Sequence, residues 1–179
     1  MRKLVRVLVL LVVLAALPVL VFPSFKYWLY KVLPPEIRWD ISYALTDKFV
    51  IGVICFVEHD GRLLLLQNSY QDKWALPGGW LNKGETFEQA ARRELREELG
   101  ADVVDIRVLE INKVPGAQII DVALSGKLKN SSFSGSDLEV SDYRFFDWDS
   151  LPGNILYTHK PYIERYLAER QVAADLATE

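Results

Sequence analysis

The sequence is poor in the residues from which redox and zinc centres are made. It contains a single cysteine, Cys55, and two histidines, His59 and His159, which are far apart in sequence. One cysteine excludes a disulfide framework and any zinc site built from several cysteines. Neither histidine has a partner at ligand spacing, so we expect both to be structural or exposed. Half of the 179 residues are apolar, which excludes disorder of the whole chain and predicts one ordinary domain.

Acidic residues outnumber basic residues outside the N-terminal region. Residues 1–38 hold six basic residues and one acidic residue, a charge of +5, and the remainder therefore carries −8 of the total charge of −3. Binding to a nucleic-acid backbone requires a basic face, so we expect no nucleic-acid partner. A domain of this charge would tolerate divalent cations well.

Residues 7–25 form a run of 19 residues without a charge. This is about the length that crosses roughly 30 Å of hydrocarbon as a helix. Aromatic side chains typical of a membrane interface lie at its end: Phe22, Phe25, Tyr27, Trp28 and Tyr30. We therefore predict that residues 1–33 form an N-terminal hydrophobic helix that anchors the protein in a membrane, with a single pass. A cleaved signal peptide is the alternative.

Beyond this segment the pattern alternates between strands and helices. Pro34 and Pro35 predict a stiff linker over residues 34–47, and the soluble domain is expected over residues 48–179. Strands are predicted at residues 48–57, 63–67, 103–110, 117–128 and 143–148, and helices at residues 86–99 and 161–174. Residues 129–137 are expected to be a loop. This order predicts an α/β or α+β sandwich with a mixed sheet.

The helix at residues 86–99 carries three glutamates on one face. Glu94, Glu97 and Glu98 are spaced i, i+3 and i+4, and they lie beside the apolar stripe of the helix instead of opposite it. A solvated outer face does not fit this position. Partly buried carboxylates require a counter-charge, and hard oxygen ligands suit Mg²⁺ or Mn²⁺. We therefore predict a metal site.

Residues before and within this helix extend the prediction. Glu85 precedes the helix and can pair with Arg93 on the adjoining face. Gly78 and Gly79 allow the backbone to approach a ligand closely, and they leave a carbonyl to face the metal.

From Gly79 to Ala101 the sequence resembles a complete Nudix box. The glycine is followed by five residues, Glu85, seven residues and then the run that begins at Arg93 and ends at Ala101. Ala101 stands where the family usually has a larger aliphatic residue. The resemblance covers about residues 48–149. It implies a Nudix-type α/β/α sandwich, a divalent cofactor (Mg²⁺ or Mn²⁺), and hydrolysis of a nucleoside diphosphate linked to another moiety.

The resemblance also implies roles for residues of the box. Glu94, Glu97 and Glu98 would be metal ligands, joined by the carbonyl of Gly78 or Gly79. Arg93 and Glu85 would be an orienting pair. The general base stays open between Glu97 and Glu139, which lies on the loop before the last predicted strand and is a second candidate for the metal shell.

Several side chains near the glycine pair are candidates for substrate binding. Tyr70, Trp74 and Trp80 flank the turn and are able to stack on a base, with core packing as the alternative for Trp74. Lys73 is a candidate for contact with phosphate.

The expected function is metal-dependent hydrolysis of a diphosphate bond in a small-molecule nucleoside-diphosphate substrate. Two alternatives remain open: a membrane-tethered module that senses a nucleotide without turnover, and a hydrolase of a lipid-linked diphosphate. Nucleotide substrates favour a cytosolic catalytic domain over an external one. The oligomeric state is not readable from the sequence, and a homodimer is one possibility.

Overall fold

The computed structural model describes residues 5–7, 22–129 and 139–177. Contacts within the chain divide it into two compact units, Met1–Asp47 and Lys48–Glu179. Each unit is described by itself below.

Between residues 22 and 47, the longer described stretch of the first unit, lie two short helices, α1 (Pro23–Val32) and α2 (Pro35–Leu45). Each helix has a proline in its first turn, where the fixed φ of proline suits a helix start and its missing N–H is not needed. The predicted linker over residues 34–47 is therefore largely a helix. Pro35 begins α2 instead of breaking the chain, and Glu36 in the first turn favours the positive end of the helix dipole.

The prediction of a single-pass membrane anchor is wrong. Among the residues that the structure describes, no helix is both long enough and apolar enough to cross a bilayer. Helix α1 has 10 residues and α2 has 11, whereas about 20 apolar residues are needed. Residues 8–21, which hold most of the predicted span, lie outside the described residues.

The described part of the second unit contains seven strands and two helices. The helices are α3 (Phe87–Leu99) and α4 (Lys160–Ala177). The strands are β1 (Val50–His59), β2 (Arg62–Asn68), β3 (Trp74–Ala75), β4 (Gly78–Trp80), β5 (Val103–Lys113), β6 (Ile119–Leu128) and β7 (Val140–Phe146). Five strands and both helices were expected near these positions. The sequence did not predict β3 and β4 as strands.

The strands form one mixed sheet in the described residues. Its main order is β3-β2-β1-β6-β5, with β4 paired to β1 and β7 paired to β2. Strands β1 and β6 are parallel, and the other pairs are antiparallel. Strands β1 and β2 are joined by a tight turn at Asp60 and Gly61, which both have positive φ, as a type I′ hairpin turn requires.

Strand β1 is buried on both faces of the sheet. Val53, Cys55 and Val57 pack in the core that includes Ala90, Ala91, Leu95 and Leu99 of α3. Ile54 and Phe56 alternate with them and pack in a second core, which includes Tyr162 and Ile163 of α4. Two cores, one on each face, make a three-layer α/β/α sandwich, as predicted. The apolar run at β1 has the character of a strand covered by helices on both sides.

Helix α3 is fixed at both of its ends. Thr86 and Gln89 form a capping box: the Thr86 Oγ1 accepts from the Gln89 N–H, and the Gln89 side chain accepts from the Thr86 N–H. Gly100 ends the helix in a left-handed conformation. With Ala90, Ala91, Leu95 and Leu99 buried, the rotation of the helix about its axis is set, and with it the direction of its glutamates.

Replacing Leu95 by alanine tests this anchoring. Leu95 is 1% exposed, so Leu95→Ala should lower the free energy of unfolding by about 2–5 kcal/mol, through lost burial and the cavity left behind. The matched control is Leu176→Ala on α4, because Leu176 is 69% exposed; it should change stability by less than about 0.5 kcal/mol. Urea denaturation followed by tryptophan fluorescence measures both, and equal effects would contradict the assigned packing.

Candidate active site

Glu98 is the most buried glutamate of the predicted metal site. It is 3% exposed, and its Oε2 accepts a hydrogen bond from the Gly78 N–H at 3.1 Å. Burial raises the pKa of this carboxyl to about 9, and the charges of Glu94, Glu139 and Glu97 raise it further. A carboxylate at this position is therefore stable as an anion only when a cation compensates it.

Strand β4 approaches both β1 and α3 because it consists largely of glycine. Gly78 pairs with Ile54 and Gly79 with Val53. A Cβ on Gly78 would lie 2.0 Å from the Val53 carbonyl oxygen, and one on Gly79 would lie 2.4 Å from the Glu94 Oε1. Any side chain at Gly79 would thus displace the carboxylate of Glu94. The glycine pair brings a sheet strand into contact with the glutamate face of the helix.

Arg93 joins the elements around this contact. Its Nε and Nη2 donate to the Glu85 carboxylate at 2.7 and 3.1 Å. Its Nη1 donates to Glu94 at 2.7 Å and to Glu97 at 3.0 Å, and Nη2 also donates to the Trp80 carbonyl oxygen at 2.8 Å. These five bonds equal the donor capacity of a guanidinium. They also lower the pKa of Glu85, to about 2.

Negative charge exceeds positive charge in this cluster. Glu94 is half-buried, and burial raises its pKa, with additional contributions from Glu97 and Glu139. Glu139 lies far along the chain, but its backbone oxygen accepts from the Ser69 N–H at 2.8 Å, which holds it beside β2. Its charge acts on both Glu94 and Glu98. The Arg93 guanidinium bonds to Glu85, Glu94 and Glu97, and the charges of Glu98 and Glu139 add to the same cluster.

The donor chemistry of this cluster fits a hard divalent cation. All of the side-chain ligands on offer are carboxylate oxygens, and two of them, Glu98 and Glu94, are largely withdrawn from water. The absent Cβ of Gly79 leaves room for the Glu94 carboxylate against the strand. Within the described ranges, no three acidic, histidine or cysteine side chains are already gathered into a metal-binding group. Arg93 bonds to both Glu94 and Glu97, and so holds these two carboxylates in their observed positions.

A cleft of about 260 Å³ opens next to these residues. Its walls include Glu98, Gly78 and Gly79, and also Tyr70 and Trp80, two of the residues predicted to bind substrate. The Tyr70 hydroxyl accepts a hydrogen bond from Asn68 Nδ2 at 2.7 Å. Both aromatic rings are more than half exposed, so both are available to a ligand.

Two other predicted substrate residues are not in the cleft. Trp74 is 8% exposed and packs edge-on against Phe146 with ring centroids 4.9 Å apart. It is paired in β3, so its ring belongs to the core and is not available to stack on a base. Lys73 is exposed, lies 3.7 Å from Asp72 and does not line the cleft.

Sequence reasoning missed several residues of the cleft: Asn68, Gln71, Asp121, Thr158 and His159. His159 was expected to be structural or exposed. Its Nδ1 accepts from the Leu76 N–H at 3.0 Å, and burial lowers its pKa to about 4. The sequence signal for Asp121 is an acid within the apolar half of a predicted strand, residues 119–124.

A model of the NUDIX domain matches residues 48–166, about two thirds of the chain. The chain belongs to the Nudix family. This confirms the resemblance of the box from Gly79 to Ala101.

Related proteins agree with this assignment. An ADP-ribose pyrophosphatase from Methanocaldococcus jannaschii is 30% identical over 139 residues, which cover 70% of this chain and 78% of that protein. An RNA pyrophosphohydrolase from Hydrogenovibrio crunogenus is 42% identical over 59 residues, which cover 33% of this chain and 35% of that protein. The match therefore spans little more than a third of the second relative. The chain is a Nudix pyrophosphohydrolase, as predicted, and belongs to a family that acts on substrates linked to nucleoside diphosphates.

Solved structures confirm the Nudix fold. A UDP-X diphosphatase superposes with a TM-score of 0.58 at 23% identity, covering 70% of this chain and 64% of that one. A MutT Nudix hydrolase from Burkholderia pseudomallei superposes with a TM-score of 0.55 at 23% identity, and the match covers 66% of this chain and 98% of that one. Nudix hydrolases generally use divalent metals such as Mg²⁺ or Mn²⁺.

The two histidines allow a test of the buried imidazole. Because the pKa of His159 is lowered to about 4 in the folded state, the unfolded chain binds this proton more readily. The free energy of unfolding should therefore fall as the pH is lowered from about 6.5 to about 4, by up to about 3 kcal/mol from this group. His159→Asn, whose Oδ1 can accept from Leu76, should remove that part of the pH dependence.

His59→Asn is the matched control, because the His59 side chain is 38% exposed. Urea denaturation across this pH range should show a flatter profile for the first variant and the wild-type profile for the second. Parallel profiles for all three proteins would contradict the assigned environment of His159.

Proposed function

We propose that this Nudix protein hydrolyses the diphosphate bond of a small-molecule nucleoside diphosphate joined to a second group, with Mg²⁺ or Mn²⁺ held by Glu94, Glu97 and Glu98. The observation that carries the proposal is the excess of partly buried carboxylates beside an open cleft. If these carboxylates had only a structural role, we would expect the protein to pair them with its own cationic side chains, because an uncompensated buried carboxylate costs several kcal/mol.

The negative charges of these carboxylates restrict how a diphosphate can bind. A diphosphate is an anion, and it would be repelled by five carboxylates that have one guanidinium among them. Bound divalent ions would neutralise the diphosphate, polarise a phosphoryl oxygen and lower the pKa of the attacking water. The ligand set proposed for them is Glu94, Glu97 and Glu98, together with the carbonyl of Gly78 or Gly79.

The remaining residues of the cluster hold these ligands in place. Arg93 bonds to Glu94 and Glu97 and, through Glu85, ties the loop before α3 to the helix. Because all five of its donors are engaged, its orientation is fixed before substrate arrives. We assign Arg93 and Glu85 a positioning role, in keeping with catalysis that depends on preorganised groups.

A carboxylate is proposed to take the proton of the attacking water. Glu97 and Glu139 are the two candidates, as the sequence predicted. The Glu97 side chain is 55% exposed, and Glu139 is exposed beside the cluster. Either carboxylate is therefore accessible to water, unlike Glu98.

The similarity to an ADP-ribose pyrophosphatase makes ADP-ribose the first substrate to test. We also propose that residues 48–179 form the hydrolase domain. The compact unit that begins at Lys48 and the family match over residues 48–166 support this boundary.

Substitution of the glutamates tests the proposed chemistry. Glu97→Gln and Glu98→Gln should each lower the rate of hydrolysis by at least about a hundredfold, since each removes a charge from the proposed metal shell or the base. Glu88→Gln is the matched control: it lies on the same helix, in the first turn, and outside the cleft. It should retain activity close to that of the wild type.

The assay is product analysis on the full-length chain with Mg²⁺ or Mn²⁺. The panel contains ADP-ribose, nucleotide sugars, dinucleotides, a CDP-alcohol and nucleoside triphosphates. Wild-type activity that persists in both glutamine variants would contradict the proposal. Saturable nucleotide binding without any product after long incubation would instead favour the alternative of a sensing module without turnover.

Gly79→Ala tests the contact between strand β4 and the metal ligands. The new Cβ would lie 2.4 Å from the Glu94 Oε1, so the carboxylate has to move. We expect affinity for Mn²⁺ to fall by about ten- to a hundredfold, as for other changes that misorient a metal ligand. Paramagnetic resonance of free Mn²⁺ measures this affinity. Gly153→Ala is the control, because a Cβ there meets nothing within 4 Å; equal affinities for both variants would contradict the assignment.

A further inference from the structure

We propose that Asp121 is a specificity residue whose carboxylate accepts a hydrogen bond from an N–H group on the edge of the substrate's nucleobase. This inference rests on the proposed function, because it concerns the substrate of the same cleft. It assigns a role to a residue that lies outside the Nudix box and that the proposed hydrolysis does not use.

Two acidic side chains in the described part of the chain are buried, and both lie at one cleft. Among the described residues, Glu98 and Asp121 are the acidic side chains classed as buried, at 3% and 8% exposure. Both line the cleft of about 260 Å³. Glu98 has an assigned role at the metal site. Asp121 has none, although burying its carboxylate carries a comparable cost.

The sheet provides a space for the Asp121 side chain. Asp121 on β6 pairs with Gly52 on β1. A Cβ on Gly52 would lie 2.7 Å from the Asp121 Oδ1 and 3.6 Å from the Cζ3 atom of Trp80. The missing side chain at Gly52 therefore accommodates both the carboxylate and the indole ring, and it brings the carboxylate close to the ring of Trp80.

The protein satisfies only part of the hydrogen-bonding capacity of this carboxylate. The hydroxyl of Tyr162 donates to Asp121, and burial raises the pKa of the carboxyl. Within the described part of the chain no lysine or arginine forms an ion pair with it. A carboxylate accepts several hydrogen bonds, so capacity remains for a donor from a ligand.

The walls of the cleft select a flat aromatic ligand. Trp80 and Tyr70 are exposed rings at the cleft, and Ile54 and Leu76 add apolar surface. A base stacked on the Trp80 ring would gain stacking energy, and its edge would lie close to Asp121. A phosphate would be repelled by this carboxylate, and a sugar hydroxyl would gain little from the aromatic wall. The nucleobase is therefore the part of the substrate that fits.

His159 supplies a complementary group in the same cleft. Its Nδ1 accepts from the Leu76 N–H, so the neutral ring carries its proton on Nε2. The Tyr162 N–H donates to the His159 backbone carbonyl oxygen at 3.1 Å, so the two residues stand in one turn of the chain at the start of α4. Asp121 on β6 is thus an acceptor, and His159 just before α4 carries a donor. Both line the cleft, and recognition of a base edge uses such a pair.

The test compares nucleotides whose bases carry N–H donors with one whose base carries none. The probes are AMP, GMP and purine riboside 5′-monophosphate, whose base carries no N–H donor. Calorimetry on the full-length chain with Mg²⁺ should show that AMP or GMP binds about ten- to a hundredfold more tightly than the purine nucleotide, the effect of one hydrogen bond to a charged group. Asp121→Ala, which removes the acceptor, should reduce this preference to less than about threefold, and Asp121→Asn, which keeps an uncharged acceptor, should give a preference between those of Asp121→Ala and the wild type.

Asp142→Asn is the matched control, because Asp142 pairs with Arg144 on β7 and does not line the cleft; it should keep the wild-type preference. Thermal melts confirm that each variant folds. A wild-type protein without the preference, or Asp121 variants that keep it, would overturn the inference.

Binding and turnover separate this inference from the proposed function. The nucleotide affinities do not depend on hydrolysis, so a chain that hydrolyses nothing but shows the Asp121-dependent preference would contradict only the proposed activity. In a chain that hydrolyses ADP-ribose, Asp121→Ala should raise KM about tenfold or more and leave kcat largely unchanged. An effect on kcat alone would contradict recognition of the base.

Discussion

The guanidinium of Arg93 is the interaction on which the geometry of the site depends. It bonds to Glu85 before α3, to Glu94 and Glu97 within α3, and to the Trp80 backbone in β4. A helix, a strand and a loop are thereby tied to one rigid group. A lysine has fewer donors and no fixed fork, so it could not join all of these partners at once. These bonds hold the carboxylates near each other despite their mutual repulsion.

The glycine pair of β4 is the second constraint, and it connects the chemistry to recognition. Gly79 lets the strand lie against Glu94, while the Gly78 N–H holds Glu98. The next residue in the strand, Trp80, accepts from Arg93 with its backbone and places its ring near Asp121 across Gly52. A short strand of three residues thus contacts both the acidic cluster and, across Gly52, the surroundings of Asp121. Displacement of this strand would disturb both sets of contacts.

Sequence patterns predicted the parts of the molecule that depend on local periodicity. The apolar run of β1 and the capped, amphipathic helix α3 follow from residue order, and so does the shared face of Glu94, Glu97 and Glu98. Strand β4 was missed because glycine has low strand propensity, and it is a strand only through pairing with β1. Pairing of β3 with β2 turns the Trp74 ring into the core, which is the alternative that the sequence had left open for this residue.

Asp121 and His159 could not be found from the sequence because no local pattern relates them. Asp121 enters the cleft through the parallel pairing of β6 with β1, and His159 through its bond to Leu76. The two buried acids are Glu98 and Asp121, and their surroundings indicate that they contact different parts of one substrate. At Glu98 the uncompensated negative charge favours binding of a cation, and a bound cation in turn attracts the anionic diphosphate. At Asp121 the Tyr162 hydroxyl and an aromatic wall favour a neutral ring with hydrogen-bond donors. A nucleoside diphosphate carries both groups, and a cleft with this division of charge would bind it in one orientation.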